Sequence, residues 1–281
     1  MKALPFTIPK HDSALLLFQR DRAEVFYEQF HQHEEIQISY IVSGEGELLA
    51  GDRMRRYKAG DTFIIGSYLP HLFKSDRSVT SESQMVSVFF SRVDFSRFME
   101  LDELSRMEAL LNEMDVGIFM ESSGDEVGEM ILQIETASPL NRLALFFSLL
   151  ECIRNANRSL LSSKLPRKML SENEGMRMQV VMNFTLDSLA NRISLEEVAG
   201  LANMSPNAFC RYFKQRTNKP FFQFLNELRI EHACTLLTNK VDLSVSEVAE
   251  SSGFQNLSNF NRRFKTEKGI TPSQFRRQNA R

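Results

Sequence analysis

The last hundred residues alternate apolar and polar positions with a helical period, and this pattern occurs twice, about fifty positions apart. Each copy begins with a Ser followed three residues later by a Glu: Ser194 with Glu197, and Ser244 with Glu247. This spacing is the capping box that begins a helix. Small apolar residues, a turn and a second amphipathic stretch follow. The pattern therefore predicts two helix-turn-helix units.

The second helix of each unit has one apolar and one polar face. Phe209 and Phe213 are four apart and so share a face, as do Phe260 and Phe264. The opposite faces carry Asn207, Cys210, Arg211 and Lys214 in the first unit and Ser258, Asn261, Arg262 and Lys265 in the second. Arg pairs well with guanine and Asn with adenine in the major groove. The doubled polar stripe predicts a protein that reads double-stranded DNA in two places, the alternative being two ordinary solvated helix faces.

Several basic residues are better suited to the DNA backbone than to base edges, because phosphate contacts fix register without reading sequence. We assign phosphate contact to Lys214, Arg216, Lys219, Arg263 and Lys265. Between the units, residues 221–237 contain no Gly or Pro and carry apolar residues at helical spacing. A rigid helix of about 17 residues, about 26 Å long, is predicted. It would hold the two recognition helices about one DNA turn apart.

Residues from about 177 to 277 closely resemble the DNA-binding domain of the AraC/XylS family of bacterial transcription regulators. The resemblance is carried by residues 193–206 in the first unit and by residues 248–254, 260–265 and 269–276 in the second. It implies base-reading positions at Asn207, Cys210, Arg211, Ser258, Asn259, Asn261 and Arg262.

The segment from Val25 to about Phe90 has the short apolar runs and glycine punctuation of a small β-barrel. His31 and His33 are followed by Gln37, and a later His71 follows Gly60. This arrangement resembles the two motifs of the cupin barrel. Metal-binding members of that barrel have two His, a Glu and a later His. Here Gln37 occupies the position of the Glu.

Three interpretations of the histidines stay open: a small-molecule pocket without metal, a solvated face, and a three-His metal site. We assign effector binding to His31, His33, Gln37, Tyr40 and His71, and no metal or cofactor. Aromatic walls would come from Tyr27, Tyr40, Tyr68 and Phe73. The family resemblance implies that the effector is a sugar or another small metabolite.

Helical apolar spacing continues over residues 99–114 and 127–160. An apolar seam is predicted there, at Leu140, Leu143, Phe147, Leu150 and Ile153. The family resemblance implies that these helices form a homodimer interface, the alternative being packing on the chain's own barrel. Residues 162–175 are polar and contain a Pro and a Gly, which predicts an interdomain linker.

The near-neutral total charge would argue against nucleic acid, but its distribution reverses that conclusion. Residues 180–281 hold 14 Lys and Arg against 9 Asp and Glu, whereas residues 1–179 hold 20 against 27. The three cysteines are scattered and imply no disulfide framework. With no signal-peptide pattern and no apolar run long enough to span a membrane, the sequence predicts a cytoplasmic protein without a membrane partner.

The sequence thus predicts an α+β multidomain fold. The expected parts are a cupin-like effector-binding barrel (1–95), a helical dimerisation region (96–161), a linker (162–175) and an all-α double helix-turn-helix domain (176–281). The predicted function is a sequence-specific DNA-binding transcription regulator, not an enzyme, that would contact RNA polymerase if it activates. Two alternatives are a metal-dependent cupin enzyme carrying a DNA-binding domain and a non-specific architectural DNA binder.

Overall fold

The computed structural model describes residues 14–24, 26, 30–76, 82–104, 106–121, 124–162, 172–217 and 219–279. The chain divides into two compact units, Met1–Gly51 with Tyr57–Glu172, and Asp52–Arg56 with Asn173–Arg281. The first is built on antiparallel strands and the second on helices. The predicted fold class is therefore confirmed.

The strands belong to the N-terminal unit, except that residues 53–56 are grouped with the second unit, and the described part of the N-terminal unit also holds four α-helices. The strands are β1 (Leu16–Ala23), β2 (Ile36–Ser43), β3 (Gly46–Ala50), β4 (Arg53–Tyr57), β5 (Thr62–Ile65), β6 (His71–Ser75), β7 (Ser83–Phe90), β8 (Ile118–Met120) and β9 (Ser159–Leu160). The α-helices are α1 (Arg92–Phe95), α2 (Met107–Val116), α3 (Gly124–Thr136) and α4 (Pro139–Asn155).

The main sheet has the strand order β1-β7-β2-β5-β8-β9. A second sheet contains β3, which pairs antiparallel with β6. Strand β2 is buried on both faces because it lies between two cores. Ile36 and Ile38 pack with α2, α3 and α4, whereas Ile41 packs with Leu48 and Phe73 of the second sheet. This double burial explains why both faces of β2 are largely apolar or uncharged in the sequence.

Three parts of the N-terminal unit differ from the sequence prediction. Strand β1 begins at Leu16, ahead of the predicted barrel segment, and β8 and β9 arise from residues that we expected to be helical. The predicted helical stretch 127–160 is interrupted at Ser138, since Pro139 begins a new helix. Of the expected linker, residues 163–171 lie outside the described residues, and Glu172 already begins a helix.

The apolar seam on α4 packs largely within its own unit. Leu150 and Ile153 are fully buried in the core, and Leu143 and Phe147 are partly buried against it. Leu140, at the start of the helix, is 78% exposed. The seam is therefore mainly a core stripe whose first residue faces solvent.

Apart from residues 53–56, which lie in strand β4, the regular secondary structure in the described part of the C-terminal unit is helical. Its helices are α5 (Glu172–Asp187), α6 (Leu195–Leu201), α7 (Pro206–Thr217), α8 (Phe221–Asn239), α9 (Val245–Ser251), α10 (Leu257–Lys268) and α11 (Pro272–Asn279). Helix α8 has 19 residues, two more than predicted, which corresponds to about 28 Å. Its first turns pack Phe221 and Phe224 against α7, and its last turns enter a core shared with α9 and α10.

Candidate nucleic-acid interface and ligand cavity

Both predicted capping boxes are present. The Ser194 hydroxyl accepts from the Glu197 amide at 3.2 Å, and the Glu197 carboxylate accepts from the Ser194 amide at 2.7 Å. Ser244 and Glu247 form the same pair of hydrogen bonds at the same two distances. These bonds stabilise the charged carboxylates, so they lower the pKa of Glu197 and of Glu247. Each helix-turn-helix unit therefore begins at a residue that the sequence specifies.

The turns of the two units are equivalent in backbone conformation. Asn203 has a φ of 53° and Gly253 a φ of 82°, and both are followed by the same hydrogen bond. The Met204 amide donates to the Ala199 carbonyl and the Phe254 amide to the Ala249 carbonyl, each at 2.9 Å. Asn and Gly are the residues that adopt this left-handed conformation most readily. The turns thus orient α7 and α10 in the same way relative to α6 and α9.

The phenylalanines anchor each recognition helix on its inner side. Phe209 and Phe213 are fully buried, and so are Phe260 and Phe264. Within each pair the ring centroids are 5.6 and 5.5 Å apart, respectively. Burial of these faces forces the opposite faces of α7 and α10 outward.

All seven residues assigned to base reading are exposed on the outer faces. They are Asn207, Cys210 and Arg211 on α7, and Ser258, Asn259, Asn261 and Arg262 on α10. The structure also shows a cap that sequence reasoning missed. The Asn256 side-chain oxygen accepts from the amides of Ser258 and Asn259, at 2.8 and 3.1 Å. An Asn just before a helix is the signal that could have revealed it.

The five residues assigned to phosphate contact differ in their exposure and in their ion pairs. Lys214 and Lys265 are exposed. Arg216 is half-buried, because its guanidinium pairs with Glu174 of α5 and lies 5.4 Å from the centre of the Tyr212 ring.

Lys219 is also drawn into the protein, where its Nζ lies 2.5 Å from the Glu227 carboxylate on α8. Arg263 is half-buried too, and its Nε has no hydrogen-bond partner among the described residues. The charges of Arg216 and Lys219 are thus compensated inside the chain. Lys214 and Lys265 are the two assigned cations that the structure presents to solvent.

The N-terminal unit contains a cavity of about 130 Å³ at the predicted effector site. Four of the five residues assigned to effector binding line it. The complete lining is Gln19, Asp21, Arg22, Ala23, Phe26, His31, His33, Gln37, His71, Phe73, Met85 and Phe89. The mixture of aromatic walls and a few converging polar groups is typical of a small-ligand site.

The histidines are held by backbone contacts. A pair of main-chain hydrogen bonds, 3.0 and 2.9 Å long, joins His31 to His71. The ring Nδ1 of His33 lies 2.8 Å from the Glu35 carbonyl oxygen, and that of His71 lies 2.9 Å from the Leu69 carbonyl oxygen. Burial lowers the pKa of His33 and lowers that of His71 well below its ordinary value. Both imidazoles are therefore neutral at neutral pH.

A chain of buried polar side chains leads away from the histidines along the sheet. The Gln37 Oε1 lies 3.0 Å from His33 Nε2, and the Gln37 amide nitrogen donates to Ser39 at 2.7 Å and to Ser87 at 3.3 Å. The two hydroxyls are 2.8 Å apart. At the rim, burial raises the pKa of Asp21, although Gln19 donates a hydrogen bond to it at 2.7 Å.

Tyr40, the fifth residue assigned to effector binding, does not line the cavity. Side chains alternate along β2, so Tyr40 lies on the face of Ile36 and Ile38, opposite to Gln37. Its ring packs on α3, with atoms 2.5 Å from where a side chain at Gly128 would begin. Among the expected aromatic walls, Phe73 lines the cavity and Tyr27 lies outside the described residues.

The fold and the two sites define a two-domain protein, with a ligand-binding β domain followed by a double helix-turn-helix domain. Residues 14–95 match the AraC-like ligand binding domain, and residues 198–278 match a helix-turn-helix domain. The chain belongs to the AraC family of transcription regulators. This confirms the resemblance in the C-terminal sequence and extends it to the N-terminal half.

Individual relatives agree with this assignment. The uncharacterized transcriptional regulatory protein YesN of Bacillus subtilis (strain 168) is 40% identical over 94 residues, which are 32% of this chain and 26% of YesN. The uncharacterized regulator YijO of Escherichia coli (strain K12) is 34% identical over 100 residues, 36% of this chain and 35% of YijO. The chain thus spans about a third or less of these two proteins.

A relative of matching length is the transcriptional activator RhaR of Shigella flexneri serotype 5b (strain 8401). It is 23% identical over 269 residues, which are 95% of this chain and 93% of RhaR.

Among the described helices, none is both long enough and apolar enough to cross a lipid bilayer.

Proposed function

We propose that this chain is a sequence-specific transcription regulator that reads DNA in two blocks and responds to a small molecule bound in its N-terminal cavity. The observation that carries the proposal is the pair of exposed polar faces on α7 and α10, both fixed to the single helix α8. An isolated helix-turn-helix reads one half-site. Two units on one rod allow one chain to read two.

The base-reading role belongs to Asn207, Cys210 and Arg211 on α7 and to Ser258, Asn259, Asn261 and Arg262 on α10. Their exposure and common orientation support this role. Lys214 and Lys265 would contact phosphate. Arg216, Lys219 and Arg263 would instead support the helices that carry the reading faces.

The effector site comprises His31, His33, Gln37 and His71, with Phe73 and Phe89 as apolar walls. A bound effector changes DNA binding only to the extent that it binds the active and inactive arrangements with different affinity. Effector binding by the N-terminal domain and DNA binding by the C-terminal domain are supported by the domain order and by relatives named as regulators. Our proposal includes action in the cytoplasm, contact with RNA polymerase if the chain activates, and no catalytic step.

We also propose a homodimer whose contact includes the exposed Leu140 at the start of α4. Sedimentation of the wild-type chain should give a dimer, and Leu140→Asp should give a monomer. Val93→Asp is a matched control, since Val93 is 68% exposed on α1 of the same unit. A wild-type monomer, or a Leu140→Asp dimer, would remove α4 from the interface.

The proposed function is tested by selecting bound duplexes from a random-sequence DNA pool at physiological salt with the full-length chain. We expect an enriched site with two blocks about one helical turn apart. The double variant Arg211→Ala, Arg262→Ala should fail to enrich it while keeping its fold. Equal binding to all sequences would establish the architectural alternative, because non-specific binding shows one salt slope on every duplex.

A further inference from the structure

The three cavity histidines converge on one point. His31, His33 and His71 each offer one ring nitrogen, and these three atoms lie within 4.8 Å of one another. The backbones of His31 and His71 are fixed by their reciprocal hydrogen bonds, and both rings contact that of His33, with centroids 6.0 and 5.1 Å away. His71 lies in β6, and the segment that carries His31 and His33 is fixed by main-chain hydrogen bonds to His71 and from the Tyr68 amide to the His33 carbonyl oxygen, 2.8 Å away.

Hydrogen bonds select the ring nitrogen that two of the histidines present. Nδ1 of His33 and Nδ1 of His71 each donate to a backbone carbonyl oxygen. A neutral imidazole that donates from Nδ1 carries its lone pair on Nε2. Histidines that bind metals are typically oriented in this way, with the remote ring nitrogen donating to a carbonyl or carboxylate.

Gln37 offers a fourth potential metal ligand, the oxygen of its side-chain amide. Its amide nitrogen is already used by Ser39 and Ser87, so its carbonyl oxygen faces His33 Nε2 at 3.0 Å. In this orientation the Gln37 oxygen and the lone pair of His33 Nε2 face each other, an arrangement that a cation bound between them would satisfy. Two ligands with bonds of about 2.1 Å that meet at about 90° on one ion are about 3.0 Å apart.

The charges around the cavity permit a cation. Asp21 lines the cavity, and a carboxylate oxygen of Glu35 lies 4.0 Å from His33 Nδ1. Arg22 lines the same cavity, and its positive charge partly offsets these two carboxylates. Imidazole nitrogens suit zinc, nickel, copper and iron, whereas magnesium and calcium prefer oxygen ligands.

We infer that His31, His33, His71 and Gln37 bind one divalent first-row transition-metal ion, and that this ion is an effector of the regulator. The site follows from the cavity geometry alone. Only the ion's role as an effector rests on the proposed function. This inference differs from our sequence assignment, which placed no metal here because Gln37 replaces a carboxylate. The amide oxygen keeps a ligand atom at that position even though it carries no charge.

Metal binding is measured on the full-length chain after treatment with a chelator. Co²⁺ is titrated into the protein and followed by its visible absorption, and the content of Zn²⁺ per chain is measured by elemental analysis after dialysis. We expect one ion per chain. Failure to retain either ion would overturn the inference, whatever the DNA experiment shows.

Variants locate the site. His31→Ala and His33→Ala should each weaken Co²⁺ binding at least about 100-fold, since even outer-shell partners of a metal are worth 10- to 100-fold. His232→Ala is the matched control, because His232 lies on α8 of the other unit. Full binding by the folded His31→Ala and His33→Ala variants would place the metal elsewhere. If these variants do not fold, Zn²⁺-induced shifts of the imidazole NMR signals of the wild-type chain give the same test.

The effector role is tested separately by repeating the DNA selection with metal-free and Zn²⁺-loaded protein. A change in affinity of at least about fivefold, the lower end of allosteric coupling, supports the role. If the chain binds one Zn²⁺ ion but the metal-free and loaded forms bind DNA with equal affinity, the ion is not an effector, although the metal site stands. Loss of sequence preference in both states would count against the proposed function and not against the metal site.

Discussion

Arg262 donates a hydrogen bond from its guanidinium to the side-chain oxygen of Asn259, 3.0 Å away, on the exposed face of α10. The backbone of Asn259 is held in turn, because its main-chain amide donates to the side-chain oxygen of Asn256 at 3.1 Å. The arginine that we assign to base reading therefore already has a partner on its own helix before DNA is bound. Less side-chain entropy remains to be lost when the guanidinium meets a base.

We predict that Arg262→Ala weakens binding to the selected site by about 1–3 kcal/mol and relaxes the preference at one base position. The matched control is Lys265→Ala on the same helix. It should weaken binding about equally on all sequences and reduce the salt slope by about one. Both follow from dissociation constants measured on the selected duplex and its single-base variants at several salt concentrations. A uniform loss for Arg262→Ala would exclude it as a base reader.

Arg216 and Lys214 lie on the same helix and should respond differently to removal. Arg216→Ala breaks the pair with Glu174 and the packing on Tyr212, so the free energy of unfolding should fall by about 1–3 kcal/mol. Lys214→Ala should leave stability unchanged and reduce the salt slope of DNA binding. Urea denaturation and salt-dependent binding separate the two effects. A reduced salt slope for Arg216→Ala with unchanged stability would restore Arg216 as a phosphate contact.

Substitution by alanine should have opposite effects on stability at two glycines of the helix-turn-helix units. Gly253 has a φ of 82°, and a side chain there would begin 2.5 Å from the Leu189 carbonyl oxygen. Gly253→Ala should therefore destabilise the fold by more than about 1 kcal/mol. Gly200 lies in α6 with open space around it, so Gly200→Ala should stabilise by up to about 1 kcal/mol. Urea midpoints of the two variants decide the matter, and shifts of the same sign would contradict the turn geometry.

The cysteines of the C-terminal unit predict selective labelling. Cys210 is exposed on α7, whereas Cys234 is buried in α8, and burial raises the pKa of the Cys234 thiol to about 12. Because the thiolate is the reactive form, a thiol reagent at pH 8 should modify Cys210 in the native protein and Cys234 only after unfolding. Peptide mapping by mass spectrometry identifies the labelled site. Bound DNA should slow the labelling of Cys210 if its face contacts the groove.

The helix-turn-helix units could be predicted because their signals are local. A capping box needs two residues three apart, and a buried Phe pair needs two residues four apart, so the sequence alone defines both. The pairing of Arg216 with Glu174 depends instead on which helix packs beside α7, and that contact spans 42 positions. Charge and spacing alone made Arg216 and Lys214 look equivalent.

The ligand cavity was partly predictable for a related reason. The resemblance to the cupin motifs grouped His31, His33, Gln37 and His71, and all four line the cavity. Alternation along the strand could not indicate which face of β2 borders the cavity, because both faces are buried. Strands β8 and β9 escaped prediction because each is three residues or shorter and pairs with partners far along the chain.

The position of Tyr40 outside the cavity gives a further prediction. Its ring rests on Gly128, so Gly128→Ala should force the ring aside and destabilise the N-terminal unit by about 1–3 kcal/mol. Tyr40→Phe keeps the ring and should leave Co²⁺ affinity unchanged. Thermal denaturation and the cobalt titration measure the two outcomes. A large loss of Co²⁺ affinity in Tyr40→Phe would return Tyr40 to the ligand site.

Helix α8 is one continuous helix that connects the units carrying the exposed faces of α7 and α10. It runs for 19 residues, and each end is packed into the core of one helix-turn-helix unit. A one-base-pair insertion between the two blocks of a promoter turns one block by about 35° around the duplex axis, since one turn takes about 10 base pairs. A rigid rod cannot follow that rotation. Target promoters are therefore expected to differ in the bases within the two blocks while keeping the number of base pairs between the blocks constant.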